Sequence, residues 1–163
     1  MITNCILLYA IIINNFAVGI PPTISQLEDL KNCGNYVPST SYQYATLIVK
    51  YFDEKNIETA TKVMWCESRN KTEAFRYQDF DSGLFQVIPS TWGWVKQKHD
   101  IPYWDYPINN SYAQHIPKYN IEVAALLVQD MHTRDNYWQP WNSSKFCWEN
   151  TDEWIERWQN ENW

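Results

Sequence analysis

Apolar positions recur along this chain with the spacing of one helix face. In "SYQYATLIVKYFDEKN", residues 41–56, Tyr44, Leu47, Ile48, Tyr51 and Phe52 keep that spacing, and Ser41 is the expected N-cap. "IETATKVMWCES" repeats the pattern with Ile57, Ala60, Val63 and Met64 and should end near Ser68, where the chain turns polar. "NIEVAALLVQDMHTRDNY" is the clearest case, with Ile121, Ala124, Ala125, Val128 and Met131 on one face. "PPTISQLEDLKN" predicts a short helix after two prolines, and "IPSTWGWVKQKH" one that begins after Pro89. "NTDEWIERWQNENW" predicts a last amphipathic helix capped by Asn150 or Thr151. Residues 33–41 read as loop, residues 70–88 as loop with short strands, and the segment before Tyr119 as irregular. The fold class expected is α+β, mainly helical, with one short strand region in the middle.

The first 19 residues break the alternation, because they carry no charged side chain. "CILLYAIII" has the length of a signal-peptide core and is too short to span a bilayer, and Ala17 and Gly19 supply small residues for cleavage. The expected organisation is a leader at 1–19 and a single domain at 20–163, secreted, monomeric and free of the membrane once the leader is cut. Lys and Arg are missing from the start of this leader, which departs from the usual pattern.

With 163 residues, 45% of them hydrophobic, the chain can build a real core. Its 10 Trp and 11 Tyr suit core packing first and stacking on flat sugar rings second. The formal net charge of −6 and the lack of Lys/Arg clusters argue against nucleic acid as a partner. An anionic surface would have to be recognised by a site, not by bulk attraction. No Gly-rich phosphate loop is present, no His/Cys spacing suggests a metal, and no cofactor is expected. His99, His115 and His132 are scattered, with no obvious nucleophile beside them.

If Cys5 leaves with the leader, Cys33, Cys66 and Cys147 remain. An odd number allows one disulfide with one free thiol, or an intermolecular bridge. Asn70, Asn109 and Asn142 each head an Asn-x-Ser/Thr triplet.

The chemistry concentrates in the middle. "WCESRNKTEAF", residues 65–75, puts Glu67 at the end of an apolar run, and "SGLFQVIPSTW" follows at 82–92 with one of only four glycines. A glutamate at a helix end, facing an aromatic-lined cleft, can be kept protonated by burial and act as a general acid. Glycoside cleavage needs such an acid, to protonate the departing sugar oxygen. A glutamate that merely solvates a helix terminus is the plainer reading of the position alone.

The ordered series "ES" at 67–68, "SGLFQVIPSTW" at 82–92, "YNIEVAALLV" at 119–128 and "WQPW" at 138–141 resembles the lysozyme-like superfamily of lytic transglycosylases and goose-type lysozymes. "CES" and "WQPWNSSKFC" are similar to the small secreted muralytic domains of the resuscitation-promoting factors. The resemblance implies a lysozyme-like fold, with the strand region after the helix that carries the acid. It implies Glu67 as that acid. Ser82 and Gln86 would line the floor of the sugar site, Asn120 would begin the helix behind the cleft, and Trp138 and Trp141 would be candidates to stack on sugar. Gly83 would let the backbone approach the sugar or take a turn closed to other residues. A Cys66–Cys147 disulfide is implied as well, worth on the order of 4 kcal/mol in the chain-entropy model, with Cys33 left over. Trp92 and Trp94 are expected in the core.

The resemblance also names the substrate: the β-1,4 bond between N-acetylmuramic acid and N-acetylglucosamine in peptidoglycan, with chitooligosaccharide a second candidate. A second carboxylate decides the reaction. An inverting hydrolase needs a base about 6.5–9.5 Å away to activate water, whereas a lytic transglycosylase lets the sugar's own 6-hydroxyl attack. Asp79 and Asp81, in "YQDFDSG", occupy the interval where goose-type lysozymes carry aspartates, and Glu73 is a weaker candidate. Both aspartates could instead be turn residues. Ile88 stands after Gln86-Val87 where the goose-type pattern often has an aspartate. A muramidase is the expected activity; a lytic transglycosylase or a glycan-binding module without turnover is the alternative.

Overall fold

The computed structural model describes residues 1–101, 111–131 and 138–161. The helices are α1 (Ile2–Ala17), α2 (Ile24–Cys33), α3 (Ser39–Tyr42), α4 (Ala45–Tyr51) and α5 (Glu54–Ser68). Two short strands follow, β1 (Phe75–Arg76) and β2 (Asp81–Ser82). After them come α6 (Pro89–His99), α7 (Ser111–Gln114), α8 (Pro117–Met131), a 3-10 turn over Gln139–Ser144, α9 (Lys145–Trp148) and α10 (Thr151–Glu161). The chain is thus mainly helical with a small antiparallel sheet after α5, the expected α+β class. The Asn109 triplet, His132 and the end of the helix expected to run past Met131 lie outside the described residues.

Chain contacts divide it into two compact units, Met1–Lys62 with Phe146–Trp163, and Val63–Lys145. In the first, α1 packs on α4, α2 and α3, with Ile2, Ile6 and Ala10 buried. Tyr9 stacks on Tyr42 at 4.7 Å, and burial together with Tyr9 pushes the Tyr42 phenol up to about 12. Thr23 and Gln26 close a capping box at the start of α2, so each side chain satisfies one of the free N–H groups of that turn. Asn150 accepts from the Asp152 and Glu153 amides, which makes it the cap of α10, whose Trp154 and Trp158 are buried.

Two expectations change here. Cys33 is not left over, because it forms a disulfide with Cys5 of α1. The odd count of cysteines depended on setting Cys5 aside with the leader; in the whole chain Cys66 and Cys147 are disulfide-bonded too. Ser41 does not cap the helix that follows it. Pro38 sits at the N-cap of α3, Ser41 is buried inside that turn, and the helical run breaks at Tyr44 before α4 begins.

In the second unit, β1 and β2 pair antiparallel, Phe75 with Ser82 and Arg76 with Asp81. The core contains Leu84, Phe85, Val95, Ile121, Val123 and Ala124, all essentially inaccessible. The buried face of α8 is turned slightly from the expected one, since Val123 and Leu127 join Ile121, Ala124 and Val128 while Ala125 and Met131 are half-buried. Pro89 opens α6 and the left-handed Asp100 closes it. Trp92 is in the core as expected, but Trp94 is 43% exposed. Trp92 and Trp94 are two positions apart, about 200° around a helix, so one cannot follow the other inward.

Candidate active site

Glu67 occupies the last turn of α5, and the sequence stops the helix just beyond it. Arg69 and Asn70 both take left-handed backbone angles, which for residues other than glycine requires surrounding support. Arg69 supplies part of it. Its guanidinium donates to the Trp65 and Cys66 carbonyls at 3.0 and 2.9 Å, and lies over the Trp65 ring at 4.0 Å. A cation is thereby placed on carbonyls of the helix's last turn, where the helix dipole favours it.

Glu67 is half-buried. Burial raises its carboxyl above the usual glutamate range, and the nearby Asp81 charge pushes the same way. The Ser144 hydroxyl, 2.5 Å from Oε1, and the charges of Arg76 and Arg69 pull against this without cancelling it. The acid form is therefore favoured to higher pH than in a solvated glutamate.

The two aspartates fare differently. The Asp81 side chain is 2% exposed and ion-paired with Arg76, whose Nε lies 3.2 Å from Oδ1 and whose Nη2 meets Oδ2. Asp79 is half exposed and 3.7 Å from the same guanidinium. Glu73 is exposed; its own backbone amide and Thr72 hold its carboxyl below the usual range.

The glycine-containing stretch is knitted into the protein. Gly83 has φ +77°, and a Cβ there would lie 2.1 Å from the Gln114 carbonyl and 2.4 Å from the Asn120 amide nitrogen. Both of glycine's properties are used at once: the left-handed angle and the missing side chain. The approach is to α7 and α8, so Gly83 is required by packing within this unit. Asn120, fully buried, accepts from the Phe85 amide at 2.8 Å and donates to the Ser82 and Gln114 carbonyls at 3.1 and 2.9 Å. The Ser82 hydroxyl is buried against Gln114. Gln86, also left-handed, donates to the Ala74 and Gly83 carbonyls. Ser82 and Asn120 thus direct polar atoms at the protein itself, while Gln86 also borders open space.

That space is a groove of about 550 Å³. Gln86, Ile88, Trp94, Met131, Pro140 and Trp141 are among its walls. Trp138 is not among them; it is buried, with its ring 5.3 Å from that of Trp141. Glu67 does not line the groove. It meets the groove's wall through Ser144, whose hydroxyl also lies 3.1 Å from the carbonyl of Trp141. Trp141 is pinned from the other side, its indole N–H donating to the Phe85 carbonyl at 2.8 Å.

Sequence reasoning missed Ser144 and Arg76. Arg76 sits five residues from Asp81, and only the hairpin register makes them neighbours. Ser144 is separated from Glu67 by 77 positions, and nothing in its immediate neighbours marks it. The remaining histidines are engaged elsewhere: His99 is 2.9 Å from Asp130, and His115 Nδ1 is 2.7 Å from the Thr72 carbonyl.

A family model described as the transglycosylase SLT domain matches residues 47–154. Searches of curated proteins and of solved structures returned no significant match.

Proposed function

Since this chain belongs to the transglycosylase SLT family, a family of peptidoglycan-cleaving glycosidases, we propose that it is a lytic transglycosylase that works with Glu67 as its one acid–base group. The proton on Glu67 passes to the glycosidic oxygen as the bond to the muramic-acid C1 breaks, and the departing N-acetylglucosamine leaves with a neutral hydroxyl. Glu67, now ionised, takes the proton of the same muramic acid's 6-hydroxyl as that oxygen bonds to C1. A 1,6-anhydro end forms, water is not consumed, and Glu67 is protonated again.

The observation that carries this reading over hydrolysis is the Arg76–Asp81 pair. A water-activating base must be ready to take a proton, and Asp81 is buried with both carboxyl oxygens facing one guanidinium. Asp79 shares that guanidinium from the exposed side. The half-exposed Trp94 gives the groove a flat apolar wall suited to a sugar face.

Mass spectrometry of the fragments released from purified peptidoglycan tests the proposal. Ends lighter by one water than reducing ends are expected. Reducing ends would mean a muramidase, and binding of glycan with no product would mean a module without turnover. Chitooligosaccharide offered under the same conditions tests the substrate: anhydro ends from it would widen the substrate to glycans without muramic acid, and no cleavage would restrict it to peptidoglycan.

The oxidised cysteines support an oxidising compartment, and residues 1–19 are proposed as the export leader. Among the described residues no helix is long and apolar enough to cross a membrane. The Cys5–Cys33 bond adds a condition: a leader cut at Gly19 after that bond has formed stays attached until reduced. Mass measurement of the secreted protein with and without reductant tests this.

A further inference from the structure

The hydroxyl of Ser144 has one hydrogen, and both Oε1 of Glu67 at 2.5 Å and the Trp141 carbonyl at 3.1 Å lie within its reach. The shorter contact takes the hydrogen. Oε1 is therefore the oxygen that accepts, and a carboxyl oxygen that accepts a close hydrogen bond is the poorer place for the acid's own proton. We infer that Ser144 is the positioning residue of this active site, fixing Oε1 of Glu67 so that Oε2 carries and delivers the proton. This rests on the reading of Glu67 as the acid.

The perch of Ser144 is built to hold still. Its oxygen sits over the Trp141 carbonyl, and Trp141 is buried and tied to Phe85 through its indole N–H. The other charged groups that act on Glu67 come from different directions: Arg76 from β1, Asp81 from β2 and Arg69 from the end of α5. Ser144 reaches Glu67 as an uncharged donor, and it serves both stages of the reaction. While Glu67 is an acid, the bond orients it; once Glu67 is ionised, the same bond steadies the charge. Burial raises the range of Glu67, and the Ser144 bond works against that rise.

Two measurements on the same proteins test this. In S144A the alkaline limb of kcat/KM should move up by about one pH unit, and kcat should fall about tenfold with KM little changed. S144T keeps a hydroxyl and should restore both. NMR titration of the Glu67 side-chain carboxyl carbon should show the same upward move in S144A, whether or not the protein cleaves anything. Asn142-Ser143-Ser144 is an Asn-x-Ser triplet, so N142Q, which removes the acceptor asparagine and keeps the hydroxyl, should leave limb and titration unmoved. A Glu67 titration unchanged in S144A overturns the inference. So does an S144T that behaves as S144A, or an N142Q that reproduces the S144A shift. Should S144A fail to fold, S144G removes the same hydroxyl and is read in the same way. Loss of the acid reading shows separately, as wall cleavage that survives E67Q.

Discussion

Arg76 and Asp81 face each other across the hairpin, in register, and join their side chains where one of them is buried and the other half exposed. Such a pair is not symmetrical. Removing the arginine strands a carboxylate in the interior, whereas removing the carboxylate charge frees a guanidinium that water already reaches. R76A should therefore cost about 2–3 kcal/mol, less than a fully buried pair because half of Arg76 is solvated, and D81N about 1 kcal/mol. Urea denaturation of both variants measures the difference. If D81N also keeps releasing anhydro ends at a reduced but clear rate, Asp81 is a scaffold residue; loss of all turnover in a folded D81N would assign it a part in the chemistry.

E67Q keeps an oxygen for Ser144 and nearly the same volume, so the fold should survive with a Tm within about 4 °C of the parent. Turnover should fall by roughly 10²–10⁴-fold, the usual contribution of a positioned general acid. Clearing of a cell-wall suspension, followed beside a thermal melt, separates lost chemistry from lost folding.

The raised range of Glu67 sets the sign of two pH effects. Activity that needs the protonated acid should decline as pH rises through the folded-state value, which lies above the 4.5 of a free glutamate. Stability should behave in parallel. The folded protein holds the proton more firmly than the unfolded chain does, so this group's contribution is complete below about pH 4.5 and is lost as pH climbs through the folded value. Asp130 works in the opposite sense. Burial disfavours its charge, but Lys98 and His99 outweigh that and lower its range, so its contribution is present above the usual 3.8 and fades in stronger acid. Melts of the parent and E67Q across pH 4–8 check the first effect: the parent should lose stability relative to E67Q toward the alkaline end.

Much of this arrangement could be read from the residues. Helical spacing located α5 and α8, because each buries an apolar stripe, while Pro89 marked the start of α6 and Asn150 that of α10. The strand region was expected between Asn70 and Ile88 and is there, although β1 and β2 have only two residues each. Glu67 stood out through its neighbours and the distant SGLFQ stretch. The roles inside that stretch were harder to see. Asn120 lies 35 positions from Phe85, and its amide is consumed by three backbone groups that only the folded chain gathers around it. Asp81 stayed open between a water-activating residue and a turn residue, because its partner Arg76 is set by strand register. Trp94 looked like core because its aromatic character is the same on either side of a helix.

Cys5–Cys33 spans a separation of 28 residues. Closing a loop of that length should stabilise the whole chain by about 3.5 kcal/mol in the chain-entropy model. The C5S/C33S pair should lose that much by denaturant titration, with wall cleavage at low denaturant retained, since both residues belong to the unit that does not contain Glu67. A domain cut after residue 19 should resemble the double variant if α1 contributes only through the bond. It should fall further if the buried Ile2 and Ile6 contribute as well.

Gly83 has the least freedom to change. A Cβ would come within 2.1 Å of the Gln114 carbonyl and 2.4 Å of the Asn120 amide, and would do so from a φ of +77°. The backbone angle alone costs an L-residue about 1 kcal/mol. The overlap is with a carbonyl and with an asparagine already committed to three hydrogen bonds, so neither neighbour can yield cheaply. G83A should lose about 3 kcal/mol or more, through the overlap and through the Asn120 bonds it displaces. G83A in an N120A background decides where the cost lies. Since N120A opens part of the space, the second substitution should be milder there than in the parent, and denaturant titration of the four proteins gives the coupling directly. Costs that simply add would place the strain in the backbone turn or against the Gln114 carbonyl, and not in the contact with Asn120.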